Sequence, residues 1–268
     1  METPPPVTEM PPDPPRQPAL SLFGRLSNII AAPSETFDDV KASAGSAANW
    51  MVPMLALIVI GWIGVAVVFN HPTIQQQMRD LTDQALQKSF ANSNLPQQQQ
   101  EQAKETAANF ARISQTIGAY VGLPFVVIFS TFFWGFALWL LGVHVFKGSF
   151  PFMKAVEAAA LCNVIGMLDS IIRTLLILVM GNVFASPSLM LLVKGFDPQN
   201  TLHGALGTIE VFTLWILVVR AIALARLSGT SVAKAAVWVF SIWVAYTGVF
   251  IGLGAVAKAI GAHFSHPA

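Results

Sequence analysis

The stretch from Trp50 to Phe69, WMVPMLALIVIGWIGVAVVF, carries no charge. An apolar run of about 20 residues crosses about 30 Å of hydrocarbon as an α-helix. Pro53 falls in its first turn, where a missing N–H costs little. Four further runs predict four more spans, at about Ile117–Phe146, Cys162–Val183, Leu206–Ala225 and Ala235–Ala257. Only helices and closed barrels satisfy their backbone groups in lipid, and unbroken runs this long are not barrel strands. The expectation is an all-α integral membrane bundle of five transmembrane helices.

Composition agrees. Of 268 residues 54% are hydrophobic and 11% charged, where a soluble domain carries about 25% charged residues. The net charge of +1 and the lack of a basic block argue against a nucleic-acid partner. The lone Cys162 excludes an intrachain disulfide and a thiolate metal cluster.

Outside the spans the chain divides further. Residues 1–18 contain eight prolines and no apolar core, which reads as an extended, disordered tail rather than a signal peptide. Residues 19–49 are amphipathic. Leu22, Phe23, Leu26, Ile29 and Ile30 form one apolar stripe that Pro33 ends; Ser34 then caps a second helix with Phe37 and Val40 on its apolar side. These seven apolar residues form a candidate cytosolic docking surface, to lie along the membrane or against the underside of the bundle. Residues 70–116 include ten glutamines between Gln75 and Gln102, yet Ile74, Met78, Leu81 and Ala85 recur at helical spacing, as do Ala103, Ala107, Phe110 and Ile117. A helical hairpin is expected there, turning at ANSNLP (Ala91 to Pro96) and feeding directly into the second span. An interfacial lead-in helix is expected over Pro151–Leu161, before span three, and a short tail over residues 261–268.

Lysines and arginines set the expected orientation. The links after spans two and four are basic, while that after span three has only Lys194. This puts the N-terminus in the cytosol and the C-terminus on the opposite side. In a bacterial cell the host membrane would be the cytoplasmic, inner one.

Several segments taken in order resemble a known family. PSETFDDV (Pro33 to Val40) precedes Trp50 and Pro53 at the mouth of span one; GSFPFMKAVEAAALCNVIG (Gly148 to Gly166) leads into span three; IEVFTLWILVVRAIALARLSGTSVAKA (Ile209 to Ala235) joins the last two spans. Together they resemble the Yip family of Ypt- or Rab-interacting five-span membrane proteins, in its prokaryotic branch. The resemblance implies five spans with a cytosolic N-terminus. The acidic D-L-Y-G-P signature of eukaryotic relatives does not occur here, so binding of Rab-type GTPases is not carried over.

Ionisable groups at membrane depth are the residues that demand explanation, since each costs about 2.5–3.5 kcal/mol at a helix centre. Asp169 and Arg173 share a face of span three; Glu210 is expected one turn inside span four, and Arg220 towards its cytosolic end. These four form a candidate intramembrane polar cluster, either an ion pair that fixes helix register or a transport path. His144, without a partner histidine, reads as interfacial, and His263 with His266 lacks a third metal ligand. No metal, cofactor or catalytic site is expected: H-E-x-x-H and G-x-S-x-G are absent, and Ser130 and Ser170 have no identifiable base. Gly118 with Gly122 and Gly248 with Gly252 form G-x-x-x-G pairs, while Gly61 and Gly64 give span one a small-residue face, for packing within the bundle or against a second copy. The functional expectation is a non-enzymatic membrane organiser or scaffold, with the lipid bilayer and a membrane-protein partner or homodimer as its contacts. The alternative is a small transporter or channel component using Asp169, Arg173 and Glu210.

Overall fold

A computed structural model describes residues 20–91, 96–193 and 200–264. The proline-rich tail, the tip of the expected hairpin turn, Lys194 and His266 lie outside the described residues.

The described residues form ten α-helices. Two short ones come first, α1 (Leu22–Ala31) and α2 (Pro33–Ala42), then the first span α3 (Ala48–Phe69), then α4 (Pro72–Phe90). Helix α5 (Gln97–Leu140) follows and passes into a single π-turn at Leu141–Val145. Helices α6 (Phe152–Leu161) and α7 (Asn163–Met180) come next. The chain closes with α8 (Thr201–Gly207), α9 (Val211–Ser228) and α10 (Val232–Phe264). Five helical stretches are long and apolar enough to cross a membrane, with α6 and α7 together making the third. The fold is thus the expected all-α five-span bundle.

Ser21 caps α1 by accepting from the Gly24 N–H at 3.1 Å, a partner for one of the free donors at a helix start. Pro33 ends α1, as expected. The second helix, however, begins at Pro33 itself and not after a Ser34 cap, because proline's fixed φ and missing N–H suit the first helical position. Two glycines at positive φ, Gly181 at 58° and Gly229 at 76°, terminate α7 and α9. Only glycine adopts this left-handed cap without a steric cost. The second span and the second arm of the hairpin are one continuous helix, since α5 has 44 residues. A helix of that length measures about 66 Å, at about 1.5 Å per residue, and so extends well beyond a bilayer core.

Two further findings correct the sequence reading. The expected interfacial helix is α6, and it does not lie on a surface: every residue from Lys154 to Leu161 is buried, enclosed by α2, α3, α5 and α9. The alanine-rich sequence of α6 permits this, since small side chains let neighbouring backbones approach. At the tightest point, a Cβ on Gly135 of α5 would stand 3.0 Å from the Val156 Cα. The second correction concerns the G-x-x-x-G pairs. Among the described residues a Cβ at Gly118, Gly122, Gly248 or Gly252 would meet nothing within 4 Å, so none of the four packs against them inside the bundle. Of the glycines singled out in the sequence, those that do are Gly61, against Leu123, and Gly64, against Thr174.

The bundle has two ends. The near end carries α1, α2, the start of α3, the loop into α6 and the end of α9; the far end carries the α4–α5 hairpin, the end of α7, α8 and the start of α9. The main core runs from Ile29, Phe37 and Val40 at the near end through Trp134, Leu138, Leu161, Ile165 and Leu224. A smaller cluster, Val68, Ile74, Ile177 and Ala185, seats the hairpin base at the far end. There the Gln77 side chain accepts from the Val183 N–H at 2.8 Å.

Substituting Gly135→Ala should destabilise the detergent-solubilised protein by about 1–3 kcal/mol through overpacking against Val156. Gly248→Ala, on an open face, should leave stability unchanged or raise it by about 0.5–1 kcal/mol. Thermal unfolding of the two variants side by side checks both.

Candidate functional site

Three polar constellations stand out, at the near end, the far end and mid-span. At the near end Arg25, off the apolar stripe of α1, turns inward and is 6% exposed. Its Nε donates to Asp39 Oδ2 at 2.7 Å, and its terminal nitrogen donates to Ser43 Oγ at 3.0 Å. The Leu20 N–H donates to the other Asp39 oxygen at 3.1 Å. This closes α1 onto α2. Helix α2 is in turn held to the last turn of α9: Lys41 Nζ donates to the Arg226 carbonyl at 3.0 Å, and Arg226 pairs with Asp38 at 3.3 Å.

Beneath this hairpin lies Glu157 of α6, 1% exposed. One carboxylate oxygen accepts from the Ser46 N–H at 3.0 Å and the other from Asn49 Nδ2 at 2.8 Å, both in the entry to α3. Lys154, one turn earlier, brings its Nζ to 3.5 Å of Glu157 Oε2. That contact neutralises charge without a hydrogen bond, and the Lys154 nitrogen has no hydrogen-bond partner among the described residues. Sequence reasoning missed this site. The available signal was the i, i+3 spacing of Lys154 and Glu157 within an alanine run, which points to a charge pair on an otherwise buried helix.

The seven apolar residues of the N-terminal segment separate by face. Ile29, Phe37 and Val40 are wholly buried in the bundle core, and Leu26 packs against it. Leu22 is half-buried. Phe23 and Ile30 point outward, 79% and 40% exposed. The surface open to another molecule is thus formed by the latter two, while the buried ones already have an occupant in α6 and α9.

At the far end three of the four expected intramembrane charges meet. The Arg173 guanidinium donates to Glu210 Oε1 at 2.8 Å and to Asp169 Oδ2 at 3.3 Å. Glu210 is not inside the fourth span. It is the N-cap residue of α9, with extended φ and ψ of −106° and 141°, because the helical run breaks after Gly207 and α9 starts only at Val211. There its carboxylate accepts from Thr213 Oγ1 at 3.2 Å. It also faces the positive end of the helix dipole, which favours an anion. A backbone bridge between Ser188 and Glu210 fixes the junction. One cation facing two anions leaves a net charge of −1, and Asp169 Oδ1 is buried with no hydrogen bond among the described residues. A cavity of about 350 Å³ adjoins, lined in part by Glu210, Thr213, Trp243 and Tyr246.

Arg220 does not join this group and does not reach an interface. It is 8% exposed, midway along α9, with its guanidinium carbon 4.3 Å from the centroid of the Trp134 ring. A desolvated cation over an indole face gains about 2 kcal/mol, which offsets part of its burial. No carboxylate pairs with it among the described residues. His144 is exposed and meets the edge of Trp139 at 5.2 Å. No group of three metal-ligating side chains occurs among the described residues; the side chains of His263 and His266 lie outside them.

Five apolar spans with charges enclosed in pairs and triads define a multi-pass integral membrane protein. Its family follows from comparison with known proteins: the Yip1 domain model matches residues 27–254, and the chain belongs to the Yip family. No curated protein and no solved structure gives a match. The matched region runs from within α1 to most of α10, so the Glu157 site and the far-end triad both lie within the domain.

Substituting Glu157→Gln should destabilise the protein by about 3–5 kcal/mol, because Lys154 keeps a buried charge without its counter-ion. The double change Glu157→Gln with Lys154→Met should recover much of that loss, as measured by thermal unfolding in one detergent. Asp39→Ala should expose Arg25 to trypsin; an unchanged cleavage rate at Arg25 would show that the Asp39 contact does not hold α1 in place.

Proposed function

We propose that this protein is a non-enzymatic scaffold of the membrane, whose near end faces the cytosol and offers the α1–α2 hairpin to a protein partner. The observation that carries the reading is the pairing of a fixed platform with an apolar tip. Arg25 with Asp39 closes α1 onto α2, and Lys41 and Asp38 tie the hairpin to Arg226 of α9, while Phe23 and Ile30 are exposed upon it. Two apolar side chains held on a rigid element lose little entropy on binding, which is how a small contact gains affinity. Orientation rests on the basic links after spans two and four, since basic connections stay in the cytosol. The non-enzymatic reading rests on the lack of a nucleophile–base pattern in the sequence. The far-end triad then has a structural role: Arg173 ties α7 to the start of α9 and fixes their register.

The unpartnered Asp169 oxygen and the cavity beside Glu210 favour a second reading, a solute or proton path through the triad. A triple variant, Asp169→Asn, Arg173→Met and Glu210→Gln, separates the two. The scaffold reading expects it to fold and to give the same in-membrane crosslinks from photoreactive probes at Phe23 and Ile30, identified by mass spectrometry in native cells. It also expects Phe23→Asp to abolish the crosslinks from a probe at Ile30. Ion or proton flux in vesicles reconstituted with the wild type, lost in the triple variant, would replace the scaffold reading with the transport one.

A further inference from the structure

The far-end hairpin holds a cleft that neither the near-end platform nor the triad uses. It has a volume of about 590 Å³ and lies between α4 and α5. Its floor is Phe69 and Asn70, at the end of the first span, together with Met78 and Tyr120; its walls rise to Arg79 and Arg112. Phe69 is the last residue of the first span, so the floor lies at that span's end. Phe69 meets Tyr120 edge to face at 6.4 Å, and Trp62 Nε1 donates to the Tyr120 carbonyl at 2.8 Å. Tryptophan and tyrosine gathered in this way sit at a membrane interface. From Tyr120 to Arg112 is eight residues, about 12 Å of helix. A headgroup layer is about 5–8 Å deep on each side, and arginine's long stem can lean back into it.

Charge separates this cleft from the rest of the hairpin. Neither Arg79 nor Arg112 has an ion pair or a side-chain hydrogen bond among the described residues, whereas Lys104 in the same hairpin is paired with Glu101 at 3.5 Å. Asp83 also lines the cleft, four residues from Arg79 but not paired with it. Two guanidiniums and one carboxylate leave a net +1, with the amides of Asn109 and Gln115 and the hydroxyl of Thr116 beside them. Guanidinium forks match phosphate oxygens bidentately. A net +1 suits the single negative charge of a phosphodiester better than the higher charge of a free phosphate near neutral pH.

We propose that the α4–α5 cleft binds the phosphodiester headgroup of an anionic phospholipid, with Arg79 and Arg112 on the phosphate and the acyl chains leaving past Phe69 and Tyr120. The site is independent of the scaffold reading. Through it the glutamine-rich hairpin grips the leaflet at the far end and sets the tilt of the long α5 helix.

The test uses the full chain in nanodiscs of phosphatidylglycerol mixed with phosphatidylcholine, released for native mass spectrometry. The expected result is retained phosphatidylglycerol in preference to phosphatidylcholine, reduced about tenfold in Arg79→Gln/Arg112→Gln. Retention should survive Lys104→Gln, which removes one positive charge elsewhere on the hairpin, and survive in part in Arg79→Lys/Arg112→Lys, which keeps charge but not the fork. Far-UV circular dichroism confirms that each variant keeps its helices. Equal retention in the glutamine double variant and the wild type would overturn the proposal, as would an equal loss in Lys104→Gln. Displacement of the lipid by millimolar inorganic phosphate would also overturn it, by assigning the cleft to free anions.

Discussion

Glu157 is a carboxylate almost wholly removed from water at the centre of the near end. An ion in that position is tolerable only when its oxygens are met by hydrogen bonds and its charge by a counter-ion. The Ser46 N–H and the Asn49 amide meet the oxygens, and Lys154 supplies the charge. The consequence is architectural. To satisfy one side chain on α6, the entry to the first span must come to it, and the loop between α2 and α3 is pinned above. The α1–α2 hairpin then closes over the site and buries Ile29, Phe37 and Val40 in the same core.

Membership of the Yip family and the five spans describe a membrane protein whose two ends differ in construction. The near end is tied by charge-assisted hydrogen bonds, stronger than neutral ones, that join α1 to α2, α2 to α9, and α6 to the entry of α3. The far end is looser: an extended hairpin seated on a small apolar cluster, and the Arg173 triad bridging α7 to the start of α9. Between them Arg220 lies over the Trp134 ring with no carboxylate beside it among the described residues, so an aromatic face holds this mid-span charge. The proposed scaffold role rests on the rigid near end with its exposed Phe23 and Ile30, and the proposed lipid contact on the far-end cleft lined by Arg79 and Arg112.

Several features were legible in the sequence because they depend on local chemistry. Apolar run length revealed the spans, helical spacing revealed the α4–α5 hairpin, and the i, i+4 offset of Asp169 and Arg173 put them on one face. Other features were not legible because they depend on which neighbour occupies a face. Gly118 and Gly248 have the spacing of a packing motif, yet nothing among the described residues lies against them, while Gly135, in no such motif, packs against the backbone of α6. Glu210 moved from inside a span to a helix cap because the break after Gly207 interrupts a stretch that hydropathy alone reads as continuous. The α6 segment carries both a lysine and a glutamate and so read as interfacial. Paired with each other and bonded to α3, those charges can be buried.

By itself the sequence determined the medium and the spanning helices: backbone groups in lipid must be satisfied within each segment, so composition and run length specify helical spans and their number. Tertiary structure decided the fate of the polar residues. Arg25 finds Asp39, Arg173 finds Glu210 and Glu157 finds Asn49 at separations of 14, 37 and 108 positions along the chain. Burial of charge in a membrane protein is permitted only by the partner that meets it. That partner is chosen by packing, which no local window of sequence contains.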